Sequence, residues 1–463
     1  MIKKTTLVIL LAAISGCSMM PDYQRPAAPV AAAWPDSVKV AAATKAMPDW
    51  QAYFPDPRLQ ALIAAALENN RDMRIATARV AEARGQYGIQ QANRLPNVSL
   101  NASRTASLTP ASASPTGNIY RAQRYDVNAS LVSFELDFWG RVASLSAAAK
   151  ASYLATEEAQ RAFRLSLISD VANAYLTVLE LQERSQLAAS TAQGRRENSD
   201  LIAKRRDVGV ASDLDALQSQ GIYQAAVADQ ANLQRQLAAA ENLLTQLTGK
   251  VPNSLPEGRS LAQQGISPVM LAGLPSEVLL QRPDVLAAEQ RLIASNANIG
   301  AARAAFLPSI SLTGALGTAS RTLNGLFGAG SDAWNFQPAL TLPIFDAGRN
   351  SANLDVAQAR KVIAVADYEK TIQQAFREVA DLLAARDSLT EQLAAQSANS
   401  QLQQQRQKLI EARYQAGIAN HLELLDAERD AYAAKQGEVQ VLRAQLTAST
   451  QLYKALAGDT ADK

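Results

Sequence analysis

Two stretches of the chain run much further without a helix breaker than most domains allow. Residues 142–207 contain no proline and one glycine, Gly194, and residues 350–415 contain neither. As a single helix, each would be roughly 100 Å long at about 1.5 Å per residue. Apolar positions Ile168, Val171, Tyr175 and Val178 follow a 3-4-3 spacing, which Phe376, Val379 and Leu383 repeat. The spacing predicts a coiled-coil seam whose neighbours are other long helices. A glycine then reverses the chain, at Gly209 and at Gly417, and shorter return helices are predicted over Asp213–Leu247 and Leu422–Leu456.

Ahead of each long run the pattern becomes strand-like. Asn97–Leu108 and Tyr125–Phe138 read as one pair of strands, and Ser309–Ala319 and Trp334–Phe345 as another. Thr109–Gln123 and Arg321–Asp332, rich in Gly, Ser, Pro, Asn and Ala, are the loops between them. Each pair follows a predicted helix, Arg58–Arg94 or Val278–Phe306, that stops at Leu95-Pro96 or Leu307-Pro308. Proline removes a donor and pushes the residue before it toward extended geometry.

The chain is therefore written twice, with a period of roughly 210 residues, far beyond solenoid periods. Asn93–Leu100 recurs as Ala305–Leu312, Phe138-Trp-Gly-Arg141 as Asp346-Ala-Gly-Arg349, Val208–Leu214 as Ala416–Leu422, and Leu247-Thr-Gly249 as Leu456-Ala-Gly458. The organisation read from this is repeat 1 over 49–250, an equatorial linker over 251–277, repeat 2 over 278–458 and a short tail to Lys463.

Four strands cannot close a membrane barrel, since about eight is the smallest common number, and an open sheet edge is intolerable in lipid. Three copies would supply twelve strands above a ring of helices, which makes this an α+β membrane protein. No stretch of about 18 apolar residues exists, but a barrel leaves none. Trp139 and Trp334 lie near strand ends, where a membrane interface and ordinary core packing are both open readings.

The N-terminus agrees with an envelope destination. Lys3 and Lys4 precede an apolar run, Leu7–Ile14, and then Ser15-Gly16-Cys17. This reads as a signal peptide over 1–16 ending in a bacterial lipobox, with the single cysteine, Cys17, as the acylated N-terminus. A Pro- and Ala-rich tether follows over 17–48. Charge is nearly balanced, 45 basic against 43 acidic residues, and no basic surplus marks a nucleic-acid binder. No catalytic or metal constellation is evident. The one histidine, His421, has no ligand partner within helical reach and reads as a solvated turn residue, and no metal or cofactor is expected beyond the lipid on Cys17. Glu423 and Asp426 share a helix face just after Gly417. They read either as a ring of carboxylates in a lumen or as acids complementing a helix dipole.

The lipobox, the doubled Leu-Pro hairpins, the Gly-Arg after each hairpin and the tips Arg206-x-x-Gly209 and Tyr414-x-x-Gly417 resemble the TolC superfamily. They are more closely similar to its NodT-type lipoprotein subgroup, over essentially the whole mature chain. The resemblance implies a homotrimer with a twelve-stranded outer-membrane barrel over a periplasmic α-barrel, with Pro96, Gly140, Arg141, Pro308, Gly348 and Arg349 at the barrel–helix junctions. It implies sorting to the outer membrane, since Ser18 rather than aspartate follows the cysteine. It places aperture acids at Glu423 and Asp426 and a gate hydrogen bond between Tyr414 and Asp215. Tip turns around Gly209, Ser212, Asp213, Gly417, Asn420 and His421 would dock a periplasmic adaptor, with a resistance–nodulation–division transporter in the inner membrane. The departure is Ala419, where the family's best-known member carries a gating arginine. The function so implied is a passive exit duct for small molecules such as drugs. Export of proteins or metal ions is the alternative, and a structural coiled-coil lipoprotein or an adaptor is the alternative from another class. No nucleophile, paired acid–base or cofactor loop speaks for an enzyme.

Overall fold

The computed structural model describes residues 18–31, 48–250, 254–266 and 276–456. The signal peptide, Cys17, residues 32–47, parts of the linker, Gly458 and the tail lie outside the described residues. After one helical turn at Trp50–Tyr53 come α1 (Pro57–Asn69), α2 (Arg71–Ala92), β1 (Val98–Thr109) and β2 (Tyr120–Leu136). The long helix α3 (Arg141–Asp207) and its return α4 (Asp213–Thr248) complete the first half. The second half repeats the order with α5 (Pro283–Ala304), β3 (Ser309–Ser320), β4 (Asp332–Thr341), α6 (Arg349–Gln415) and α7 (His421–Ala455).

Four sequence boundaries are corrected. The helix expected over Arg58–Arg94 is broken at Asn70, which is extended (φ −60°, ψ 133°). Asn70 Oδ1 accepts from the Met73 N–H at 2.9 Å while its Nδ2 donates to the Leu247 carbonyl at 2.8 Å, so one side chain caps α2 and ties it to α4. The helix expected from Val278 begins at Pro283, because proline suits the first turn but not the interior. A 3₁₀ segment, Ser276–Gln281, precedes it. Strand β2 starts at Tyr120 rather than Tyr125, paired with Thr109, so the loop is shorter than its composition implied. Strand β4 stops at Thr341, leaving Leu342–Phe345, with Pro343 in its middle, outside the ladder.

The strands form one antiparallel sheet in the order β1-β2-β3-β4. Strand β2 bulges between Leu131 and Phe134, where Ser133 takes φ 51°. Elsewhere the registers are continuous, with Leu100 opposite Ala129, Ala129 opposite Leu316, and Leu316 opposite Trp334.

The seam positions Ile168, Val171, Tyr175 and Val178 are all buried, as are Val379 and Leu383, and Phe376 is half-buried. Val178, Leu181 and Ala188 of α3 pack with Leu233 and Ala240 of α4, and Tyr432 of α7 joins them. Asp56, fully buried ahead of α1, gathers four donors. These are the N–H groups of Arg58 and Arg259, the Tyr175 hydroxyl and the Gln264 side-chain amide, at 2.8–3.1 Å. That hub joins the start of α1, the middle of α3 and the linker residues 254–266.

The two compact units do not follow the two repeats. Among the described residues, one comprises 18–27, 79–157 and 287–368 and holds the whole sheet; the other comprises 28–31, 48–78, 158–250, 254–266, 276–286 and 369–456. Each draws on both halves of the sequence.

Candidate functional site: the sheet faces and the tip turns

Alternation along the strands sorts side chains onto two faces of different chemistry. Val98, Leu100, Leu131, Leu316, Trp334, Phe336 and Leu340 share one face through the observed register, while Ser99, Asn101, Ser130, Asn128, Asn335 and Gln337 share the other. Asn101 donates to the Ser130 hydroxyl at 2.6 Å across the polar face. The apolar face is uncovered: Leu100 is 78% exposed and Trp334 73%. A sheet in water turns such a face inward, so this one is built for lipid. The two tryptophans separate here, since Trp334 stands on the lipid-type face while Trp139 braces a corner by donating its indole N–H to the Pro308 carbonyl at 2.8 Å.

The junction residues lie in the connections between the strands and the helices that flank them, or at the first residue of those helices. Gly140 and Gly348 take positive φ, 68° and 85°, at the start of α3 and α6. Asp137 caps α3 by accepting from the N–H groups of Val142 and Ala143, and Asp346 caps α6 by accepting from Gly348 and Asn350. Arg141 makes a two-pronged pair with Glu135 at 2.8 and 2.5 Å. Arg349 is exposed and has no equivalent of that pair, because Pro343 stands where the repeat has Glu135. Pro96 and Pro308 end the preceding helical segments.

The two tips are the same turn built twice. Val210 N–H donates to the Arg205 carbonyl and Ile418 N–H to the Arg413 carbonyl, both at 2.8 Å, around Gly209 (φ 78°) and Gly417 (φ 76°). Only glycine takes this left-handed corner without strain, and the bond spans five residues as in a Schellman stop. Ser212 then caps α4 by accepting from the Asp215 N–H, and Asn420 caps α7 by accepting from the Glu423 N–H. Asp213 is exposed beside Ser212. Apolar Val210, Leu214, Ile418 and Leu422 share this surface, each at least 59% exposed, so the turns are not purely polar.

Tyr414 and Asp215 are not joined. The Tyr414 hydroxyl accepts from Arg205 Nη1 at 3.2 Å, and the Asp215 carboxylate is occupied by the Ser212 hydroxyl and N–H in a capping box. The reason is local: a first-turn carboxylate three residues after a serine cap is captured by the cap before it reaches another helix. Those bonds also hold the Asp215 carboxyl below the ordinary carboxylate range. His421 is half-buried rather than solvated, against Asn198 at 3.0 Å and beside the Tyr414 ring. Burial lowers its pKa from 6.5. Ala419 is also buried, so that position faces packed atoms. Glu423 is exposed, and Asp426 pairs with Arg429 at 3.0 Å, which partly offsets its charge. Further up α7, burial raises the pKa of Glu428.

Arg205 and Asn198 were not singled out from the sequence. The repeat held a signal, since Arg205 aligns with Arg413 and both carbonyls close the turns. Another unforeseen contact fixes the segment after Cys17. Arg25 pairs twice with Glu289 of α5, at 2.7 and 2.6 Å, and Tyr23 donates to the same carboxylate at 2.9 Å. Among the described residues no group of three or more His, Cys, Asp or Glu side chains is placed to hold a metal ion, and no helix is long and apolar enough to cross a membrane.

Comparison with known proteins agrees with this geometry. The family model described as outer membrane efflux protein matches residues 62–250 and 274–458, one stretch in each repeat. The toluene efflux pump outer membrane protein TtgF of Pseudomonas putida is 45% identical, covering 97% of this chain and 96% of its own. The outer membrane protein OprJ of Pseudomonas aeruginosa is 42% identical, covering 97% and 95%. Among solved structures, the open state of the Neisseria gonorrhoeae MtrE outer membrane channel superposes with a TM-score of 0.87 at 38% identity, covering 96% of this chain and 98% of that one. A sheet with a lipid face, long paired helices and a family model matched once in each repeat lead to one conclusion: this chain belongs to the outer membrane efflux protein family.

Proposed function

We propose that three copies of this chain join edge to edge into a twelve-stranded barrel and serve as the passive exit duct of a tripartite efflux pump for small molecules. The observation that carries this reading is the four-stranded sheet, apolar on one face, polar on the other and, among the described residues, unpaired at both edges. A closed barrel satisfies those edges, puts the apolar face in lipid and leaves the polar face lining water. The tips at Gly209 and Gly417 are the docking points for a periplasmic adaptor, and a resistance–nodulation–division transporter in the inner membrane supplies the energy. Rings of Glu423 and Asp426 favour cations at the mouth. A lipid on Cys17 adds an anchor, and the duct performs no catalysis.

The test is in-cell crosslinking from Asn420→Cys, with the partners identified by mass spectrometry. Capture of an adaptor with a proton-driven transporter supports the proposal. Capture of an adaptor with an ATP-driven exporter moves the function to secretion, and a soluble, detergent-free monomer overturns the duct altogether. Incorporation of radiolabelled palmitate, abolished in Cys17→Ser, tests the anchor.

A further inference from the structure

The internal repeat supplies a template for a contact that one chain cannot make with itself. At the bottom of the sheet the end of β2 lies against the start of β3, with Leu136 opposite Ile310, Glu135 opposite Ser311 and Phe134 opposite Leu312. Counted back from the paired arginines Arg141 and Arg349, Phe134 and Leu136 correspond to Leu342 and Ile344. Counted on from the paired prolines Pro96 and Pro308, Ile310 and Leu312 correspond to Val98 and Leu100. Val98 and Leu100 lie on the free edge β1, and Leu342 and Ile344 directly follow the free edge β4.

We infer that β4 of one copy pairs antiparallel with β1 of a second copy in one defined register. Ile344 lies opposite Val98 and Leu342 opposite Leu100, continuing as Leu340 opposite Ala102, Phe336 opposite Ala106 and Trp334 opposite Leu108. The inference rests on the trimeric reading above and specifies its seam.

Face chemistry selects this register over its neighbour. If β4 copied the bulge of β2, every pair beyond it would slip by one residue. Phe336 would then face Thr105, setting the apolar face of one copy against the polar face of the next. Without the bulge, Leu340, Phe336 and Trp334 all meet the apolar side of β1. Strand β4 shows no register shift against β3, consistent with the unbulged form. Exposure points to the same residues, with Ile344 at 92% and Leu100 at 78% in the single chain.

The seam also departs from its template. Trp139 corresponds to Ala347, so the indole bond to the Pro308 carbonyl has no counterpart between copies. Asp137, which caps α3, corresponds to Phe345, and the capping of α6 has moved to Asp346. Phe345 is thereby free of helix duty and, at 90% exposed, leaves a large apolar side chain at this corner where the template has an aspartate.

Four cysteine positions on the polar face test the register, with the native Cys17 chain as control. The proposal pairs Asn335→Cys with Ser107→Cys, and Gln337→Cys with Thr105→Cys. Exchanged, the same substitutions form diagonal pairs whose Cβ atoms lie roughly 7–8 Å apart instead of about 5 Å, beyond easy disulfide reach. Oxidation in isolated outer membranes is expected to give covalent dimers and trimers from the first two combinations, at least tenfold more than from the exchanged ones. Preferential crosslinking of an exchanged pair overturns the register, as does an SDS-resistant trimer that crosslinks in none of the four. A protein that stays monomeric without oxidation overturns the trimeric reading instead, so the two failures are distinct.

Discussion

Arg205 Nη1 lies 3.2 Å from the Tyr414 hydroxyl, joining the end of α3 to the end of α6. The bond is exposed, so it holds the two tips in register rather than contributing much stability; exposed charged contacts give about 1 kcal/mol or less. Arg205→Ala and Tyr414→Phe are each expected to raise single-channel conductance in planar bilayers, and the double variant to raise it no further. Additive effects would show that the two side chains act separately. Asp215→Ala acts differently, by weakening the capping box of α4 at a cost of about 1 kcal/mol, and it is expected to add to either variant.

Acid should loosen the same corner. His421 is held neutral by burial, with Arg205 lowering its pKa further and Asp215 opposing. Asn198 and Tyr414 are the other groups that face it. Because the folded pKa is depressed, the stability contributed is complete above the unfolded value of about 6.5 and is lost as pH falls through the folded value. Amide exchange over 413–425, corrected for intrinsic rates, is expected to be faster at pH 5.5 than at 7.5, and His421→Gln to remove most of the difference. An unchanged difference in the variant would assign the effect elsewhere.

Asp56 is the position where one small change should cost most. Replacing it with alanine leaves four donors without their acceptor in a fully buried site, at about 1–3 kcal/mol for each one that finds no substitute. A loss of at least about 3 kcal/mol is expected, read as a lower temperature of helix melting in detergent. Asp56→Asn keeps one oxygen and should fall between. A wild-type melting curve for Asp56→Ala would show that the hub is dispensable.

The two faces of the sheet should respond oppositely to charge. Leu316→Arg puts a cation on the apolar face near mid-strand, where lipid makes it cost about 2–4 kcal/mol. Reduced yield of heat-modifiable protein in the outer membrane is the expected result. Ser103→Lys, on the polar face, should assemble normally and shift ion selectivity toward anions. Equal yields of the two variants would contradict the face assignment.

Most of the architecture is legible in the sequence because the signals are long. Freedom from proline over 142–207 and 350–415 places α3 and α6 to within one residue at their starts, and Gly209 and Gly417 mark both tips. What escapes depends on single side chains whose partners are distant in sequence. Asn70 breaks a helix because it bonds both to Met73 and to Leu247. The family resemblance joins Tyr414 to Asp215, yet a neighbouring serine claims that carboxylate first. Strand β2 begins early because Tyr120 has Thr109 to pair with, whatever the turn-forming composition around it.

That each compact unit takes segments from both repeats has a consequence for how the chain reaches its final state. Strand β2 must wait for β3, whose partner residue Thr313 lies 180 positions after Ser133. While the first half emerges, only the local hairpin β1–β2 and the antiparallel pair α3–α4 can form within it, and both still lack partners from the second half. Chain synthesis proceeds at about 5–20 residues per second, so β3 is made on the order of ten seconds or more after β2. The repeat that gives the mature duct its symmetry thus leaves neither compact unit complete until both halves of the chain are present.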